Sequence, residues 1–160
     1  MPSSPAPGRA AGDGRLAMRS TARLRAVQAL YQRAMAATPL PRLIAEFHDH
    51  RLEGGEGADQ PLGPAEAGFF DDVVLGVAAR EAELDAAIAA RLASGWTLDR
   101  IDPVMRQLLR AGVYELVARP DVPRGTVINE YVEIAHAFFE PREAGFVNAL
   151  LDRIAREAAA

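Results

Sequence analysis

The sequence contains no cysteine and no lysine among its 160 residues. The absence of cysteine excludes a disulfide framework and any thiolate metal site. No apolar run approaches the roughly 20 residues that a membrane-spanning helix needs. The opening residues, MPSSPAPGRAAGDGR, also lack the continuous apolar segment of a secretory signal. These absences predict a cytoplasmic protein with no membrane partner.

Because lysine is missing, arginine supplies all 18 basic residues, and they are unevenly distributed. Residues 1–37 contain six arginines and one acidic residue, whereas the remaining residues contain 12 arginines and 21 acidic residues. A genome rich in G and C produces the same preference for arginine over lysine, so that preference alone indicates no function. The asymmetry is more informative, because it places a basic leading segment on a chain whose net charge is −4.

Alanine and leucine are abundant and β-branched residues are sparse, which favours an all-α fold. Apolar residues recur at intervals of three and four along most of the chain, and we count six or seven helices. Residues 1–18 lack this periodicity and are predicted to form a disordered tail. Residues 19–160 then form a single domain.

Local signals predict where several helices begin and end. The first is expected to begin at Ser20 or Thr21, since either side chain can cap a helix. A long helix is expected from Gly63-Pro64 to about residue 93, and Asp102-Pro103 should open another. Within the long helix, Gly76 costs about 1 kcal/mol unless a neighbouring helix crosses closely there. The predicted buried stripes include Leu24, Val27, Leu30, Tyr31, Ala34 and Met35 early in the chain and Ile128, Tyr131, Ala135 and Phe138 later.

Patterns typical of catalytic or metal-binding sites are scarce in the sequence. The sequence has no phosphate-binding loop, no dinucleotide-binding glycine pattern and no nucleophile elbow. His48 and His50 are two residues apart and point to different sides of a helix, so they are poorly placed to share a metal. We therefore expect neither catalysis nor a bound metal.

Two features indicate binding instead. Arg19 and Arg23 are four residues apart and share one helical face that we expect to face water, with Arg25 offset. They form either a phosphate-contacting patch or an ordinary solvated helix face. Phe146 follows the apolar spacing of the last helix, so the pattern alone places it in the core.

Four segments resemble the NusB family of bacterial transcription antitermination factors, in the family's order and spacing. These segments are ARLRAVQALYQ (22–32), LLRAGVYEL (108–116), VPRGTVINEYVEIA (122–135) and FVNALLDRI (146–154). The resemblance covers about residues 19–157. It implies two small helical bundles packed side by side, without enzymatic activity or a cofactor. It also implies binding to the single-stranded boxA element of nascent ribosomal RNA together with the ribosomal protein NusE, in a complex that keeps RNA polymerase from terminating.

The resemblance also implies which residues contact RNA. Arg19 and Arg23 match arginines at the start of the family's first helix, and Phe146 matches an aromatic residue implicated in RNA contact. Ser20 and Thr21 stand where further arginines are common, a difference that Arg25, Arg15 and Arg9 would compensate. Arg142 replaces a residue that is acidic in some relatives, which would make the patch more basic.

One alternative belongs to a different class. A NusB-like domain also occurs at the N-terminus of an rRNA cytosine methyltransferase. That enzyme needs a following domain for its methyl donor, and this sequence stops at Ala160, so we expect the antitermination factor rather than the enzyme. The third hypothesis is a purely structural helical module in which the arginines belong to the solvated surface.

Overall fold

A computed structural model of the chain describes residues 7–53 and 63–159. Within them the chain forms seven α-helices and one 3₁₀ turn and no β-strand, as the predicted all-α class requires. None of the described helices is both long and apolar enough to cross a bilayer. The helices are α1 (Pro7–Ala36), α2 (Leu40–His50), α3 (Ala67–Ala79), α4 (Glu81–Ala89), α5 (Pro103–Ala118), α6 (Arg124–Phe138) and α7 (Pro141–Ala159), and the 3₁₀ turn is Leu98–Arg100.

The helices form two small bundles that share α5. Helices α1, α2 and α3 pack on one another, and α5, α6 and α7 do the same, with α4 against α5. Helices α1 and α3 also pack on α5, so α5 lies in the middle of the molecule. Eleven of its 16 residues are buried, which is why its sequence is apolar over more than one face.

Two local predictions about α5 are confirmed. Asp102 caps its N-terminus, since the carboxylate accepts hydrogen bonds from the backbone N–H groups of Val104 and Met105. At the other end, α5 stops at Ala118, just before Arg119-Pro120.

Gly76 marks the close crossing that would justify a glycine inside a helix. A Cβ built at Gly76 would lie 2.1 Å from Cζ of Tyr114, so the tyrosine ring of α5 occupies the space where a side chain of α3 would be. The Tyr114 hydroxyl donates to Oδ1 of Asp72 at 2.7 Å, and Arg119 donates to the other carboxylate oxygen at 3.0 Å. The crossing of α3 and α5 is therefore fixed by both shape and hydrogen bonds.

The predicted start of the first helix is wrong, because α1 begins at Pro7 rather than at Ser20 or Thr21. Both hydroxyls donate to carbonyl groups four residues earlier, Ser20 to Leu16 and Thr21 to Ala17, which is how these residues behave inside a helix. Of the predicted tail, residues 7–18 are helical and residues 1–6 lie outside the described part of the chain. That the tail is disordered stays a prediction.

The long helix predicted from residue 64 to 93 is also wrong. It begins at Ala67 and is interrupted at Arg80, whose backbone leaves the helical conformation at φ −115° and ψ 19°. The interruption produces α3 and α4, both of which pack against α5. Four residues assigned to the stripes named above are exposed, namely Tyr31, Ala34, Met35 and Phe138. They lie near the C-terminal ends of α1 and α6, where no described helix covers them.

Candidate nucleic-acid interface

The prediction that Arg23 faces water is wrong. Its side chain is 1% exposed, and it donates to both carboxylate oxygens of Glu115 on α5, from Nε at 2.8 Å and from Nη2 at 3.0 Å. Nη1 also lies 3.6 Å from Oε1 of Glu130 on α6. Burial alone would lower the pKa of Arg23, but the hydrogen bond and the charge of Glu115 outweigh burial and raise it. Arg23 is thus a permanently charged group enclosed by three helices.

Arg19 shares its helical face with Arg23, as the spacing predicted, but that face points into the protein. The guanidinium groups of Arg19 and Arg23 both lie 4.8 Å from the centroid of the Phe69 ring. Nε of Arg19 donates to Glu66 at 3.1 Å, and its side chain is only partly exposed. Both arginines therefore pack α1 against α3, and Arg19 also binds the segment that precedes α3.

The resemblance implies that these arginines and Phe146 contact the same RNA, which would place them side by side, but the structure separates them. Arg23 contacts Glu115 near the C-terminal end of α5, whereas Phe146 lines a groove with Asp102 and Met105 at its N-terminal end. Met105 and Glu115 are ten positions apart on α5, which corresponds to about 15 Å along the helix axis. Arg19 and Arg23 therefore do not share a surface with Phe146.

Phe146 instead belongs to a groove of about 650 Å³ that we call the aromatic groove. The pattern alone placed Phe146 in the core, and this was wrong, since the side chain is 38% exposed. Arg142, one turn earlier on α7, is also exposed and lines the same groove. The complete lining is Leu92, Ala93, Trp96, Arg100, Ile101, Asp102, Met105, Phe139, Arg142, Glu143 and Phe146.

The remaining predicted residue, Arg25, lies on another side of α1 beside a second groove. Its Nη1 donates to Gln28 at 2.8 Å. The pKa of Arg25 is lowered, mainly by burial and to a smaller extent by the positive charge of Arg51. Gln28 and Arg51 border a groove of about 460 Å³ that we call the apolar groove. Its complete lining is Val27, Gln28, Tyr31, Gln32, Met35, Ala36, Arg51, Val104 and Phe138.

The two grooves are neighbours at the N-terminal end of α5. Val104 and Phe138 line the apolar groove, and the residues that follow them in sequence, Met105 and Phe139, line the aromatic groove. The rings of these two phenylalanines are 6.4 Å apart between centroids. Most of the large apolar side chains that are exposed in the described part of the chain lie here, namely Tyr31, Met35, Trp96, Phe138 and Phe146.

Sequence reasoning missed Trp96 and Arg100, and it assigned Tyr31, Met35 and Phe138 to the core. One signal was available, since Trp96 is the chain's sole tryptophan and follows Ser94-Gly95, a pair typical of a helix terminator, although α4 already ends at Ala89. A tryptophan at a helix terminator lies outside the periodic stripes that bury most aromatic residues. No sequence signal shows that α1 and α6 extend beyond their covering neighbours.

His48, the first of the two histidines on α2, contacts an acidic residue of α3. Nε2 of His48 lies 2.6 Å from Oδ1 of Asp71, which joins α2 to α3. Among the described residues, no group of three or more histidines and acidic residues is arranged to hold a metal ion. The candidate functional site is therefore formed by the aromatic groove and the apolar groove.

Comparison with known proteins agrees with the fold and the motifs. The NusB family model matches residues 20–156. Transcription antitermination protein NusB of Sphingopyxis alaskensis is 59% identical over 139 residues, covering 87% of this chain and 93% of that protein. The protein of the same name from Novosphingobium aromaticivorans is 60% identical over the same shares.

Solved structures show the same architecture. NusB of T. maritima superimposes with a TM-score of 0.72 at 27% identity, covering 87% of this chain and 91% of that one. NusB in a crystal structure of antitermination factors NusB and NusE with dsRNA gives a TM-score of 0.70 at 22% identity, covering 86% and 96%. That second likeness is one of fold alone. The family model, the curated relatives and the fold together show that this chain belongs to the NusB family.

Proposed function

We propose that this protein is an RNA-binding transcription antitermination factor that binds RNA through the aromatic groove. One observation carries the proposal: exposed aromatic side chains and arginines line the same groove at the N-terminal end of α5. Phe146 and Trp96 provide the aromatic surfaces, and Arg100 and Arg142 provide the positive charge. This combination is typical of proteins that bind single-stranded nucleic acid, because unpaired bases stack on aromatic rings while cations contact the backbone.

The charge distribution supports this placement. The arginines at the start of α1 are paired with acidic residues, Arg19 with Glu66 and Arg23 with Glu115. In contrast, Arg142 forms no ion pair among the described residues, and Arg100 donates only to a backbone carbonyl. A guanidinium group without a carboxylate partner releases more free energy on binding phosphate, since no existing ion pair must be broken.

The apolar groove is the proposed docking surface for a protein partner of the NusE type. Tyr31, Met35 and Phe138 expose apolar surface there, and the polar side chains of Gln28, Gln32 and Arg51 belong to the same lining. Aromatic residues, methionine and arginine are enriched in protein interfaces relative to the rest of the surface. Because this groove borders the aromatic groove, a partner seated in it would also lie beside the bound RNA. The solved NusB–NusE pair with RNA is the precedent for such an assembly.

The RNA is a boxA-type element of a nascent ribosomal transcript, and the protein with its partner joins an RNA polymerase complex that resists termination, in the cytoplasm. The name shared by the curated relatives describes a regulatory protein and no reaction. We therefore propose a binding role without catalysis.

The test is a titration of fluorescently labelled single-stranded boxA-type RNA with the protein, followed by anisotropy, with and without the NusE partner. A scrambled RNA of the same composition is the control. We expect boxA-type RNA to bind more tightly than the scrambled RNA, and more tightly with the partner present. No binding at low salt under either condition would refute the proposed function.

A further inference from the structure

Trp96 is the most exposed large apolar side chain in the described part of the chain, at 58%. An exposed aromatic residue by itself needs no functional explanation. Trp96, however, lines the same groove as Phe146 and Phe139, so its exposed surface is part of a larger aromatic lining. A groove that leaves this much aromatic surface in water is suited to a ligand with flat apolar faces.

The loop that carries Trp96 is held in place by hydrogen bonds on both sides. Gly95 has a φ of +86°, the left-handed conformation that glycine adopts without strain, and the N–H of Trp96 donates to the carbonyl of Ala93. Arg100 donates to the carbonyl of Gly95 at 2.9 Å, and Arg106 on α5 donates to the carbonyl of Leu98 at 2.7 Å.

These contacts are all made through backbone carbonyls, so the indole ring itself takes no part in holding the loop. A ring presented on a fixed backbone loses little conformational entropy when a ligand stacks on it. The same hydrogen bond that fastens Gly95 also brings the guanidinium of Arg100 next to the residue that precedes Trp96. A stacking surface and a phosphate-binding cation are therefore adjacent.

We propose that Trp96 is a second base-stacking residue for single-stranded RNA, acting with Phe146 across the aromatic groove. One unpaired base stacks on the indole of Trp96 and another on Phe146, while Arg100 contacts the phosphate beside the first base. This inference rests on the proposed RNA-binding function and adds a residue to its site.

Because Trp96 is the only tryptophan in the sequence, its fluorescence reports directly on stacking. The experiment titrates the full chain with boxA-type RNA and follows two signals, tryptophan emission and the anisotropy of labelled RNA. Trp96→Phe keeps an aromatic face, whereas Trp96→Leu keeps apolar bulk without one. When the NusE partner is present, the Trp96→Phe protein supplies the emission baseline.

We expect RNA to quench the emission, Trp96→Leu to weaken RNA binding about tenfold, and Trp96→Phe to retain most of the affinity. Circular dichroism should show unchanged cooperative melting for both variants. If wild-type protein binds RNA but its emission is unchanged, or Trp96→Leu binds as tightly as wild type, the role of Trp96 is refuted and RNA binding stands. If wild-type protein binds no RNA, the proposed function fails and the stacking role fails with it.

Discussion

Arg23 on α1 and Glu115 on α5 form a bidentate ion pair in which neither side chain is more than 1% exposed. The two residues are 92 positions apart in the sequence. The pair joins the two bundles through α1 and α5, and Glu130 of α6 lies within 3.6 Å of the same guanidinium group. An arginine that resembles a nucleic-acid contact in sequence is thus a structural element of the protein interior.

Removing one member of this pair should be strongly destabilising. We expect Arg23→Ala to lower the free energy of unfolding by about 3–5 kcal/mol, because Glu115 would remain as a buried charge without its partner. Urea denaturation followed by circular dichroism measures the loss. Arg156→Ala is the matched control, since Arg156 is exposed and pairs only with Asp152 on its own helix. The double variant Arg23→Met, Glu115→Leu should recover most of the stability. Equal stability of Arg23→Ala and the control would contradict the structural role.

Gly76→Ala should destabilise the crossing of α3 and α5. The new methyl group would lie 2.1 Å from the Tyr114 ring, so the two helices must separate or the ring must move. We expect a loss of about 1–3 kcal/mol, the usual cost of overpacking. Gly68→Ala on the same helix is the control, because a Cβ there meets no atom within 4 Å. Thermal melting of the two variants should show a lower Tm for Gly76→Ala only, and equal Tm values would disprove the close crossing.

Tyr114 should make stability sensitive to alkaline pH. Burial and then the hydrogen bond to Asp72 raise the pKa of Tyr114 from 10.0 to about 12. Because the folded state holds this proton more tightly than the unfolded state, the contribution is complete below pH 10 and is lost as pH rises towards 12. We expect Tyr114→Phe to be about 1 kcal/mol less stable than wild type at pH 8. This gap should close in urea titrations between pH 10 and 12, and a gap independent of pH would contradict the assignment.

Substitution in the apolar groove should separate partner binding from RNA binding. Met35→Glu places a charge where the proposed interface needs an apolar contact, so we expect at least about a tenfold loss of affinity for the NusE partner. Binding of RNA by the protein alone should stay within about twofold. Leu75→Glu is the control, because Leu75 is similarly exposed but lines neither groove. Calorimetric titration of each variant with the NusE partner measures the difference. Equal affinities of Met35→Glu and Leu75→Glu for the partner would show that the partner binds elsewhere.

Much of the fold could be predicted from the sequence because its signals are local. Neighbouring residues determine the start of α5 at Asp102-Pro103 and its end before Arg119-Pro120. The all-α class likewise depends on patterns within short segments. Ser20 and Thr21 misled because the same hydroxyls serve as helix caps and as internal hydrogen-bond donors, and only the preceding residues decide between these roles.

The site was harder to predict because it depends on distant contacts. Helical periodicity assigns Arg23 to a face but cannot show that Glu115 and Phe69 cover that face. Phe146 has the spacing of a core residue, and only the folded chain shows that it is exposed in a groove that Trp96 also lines. Arg142 and Phe146 both line the aromatic groove, whereas Arg19 and Arg23 lie near the other end of α5.

The position of the RNA-binding surface is tested most directly by comparing Phe146→Ala with Arg19→Gln. RNA affinity is measured by anisotropy at low salt, after both variants are shown to melt cooperatively. We expect Phe146→Ala to weaken binding about tenfold or more, because a stacked base loses its aromatic surface. Arg19→Gln should change the affinity by less than about twofold, since Arg19 already pairs with Glu66 and stacks on Phe69. A large loss with Arg19→Gln and none with Phe146→Ala would contradict the placement of RNA in the aromatic groove.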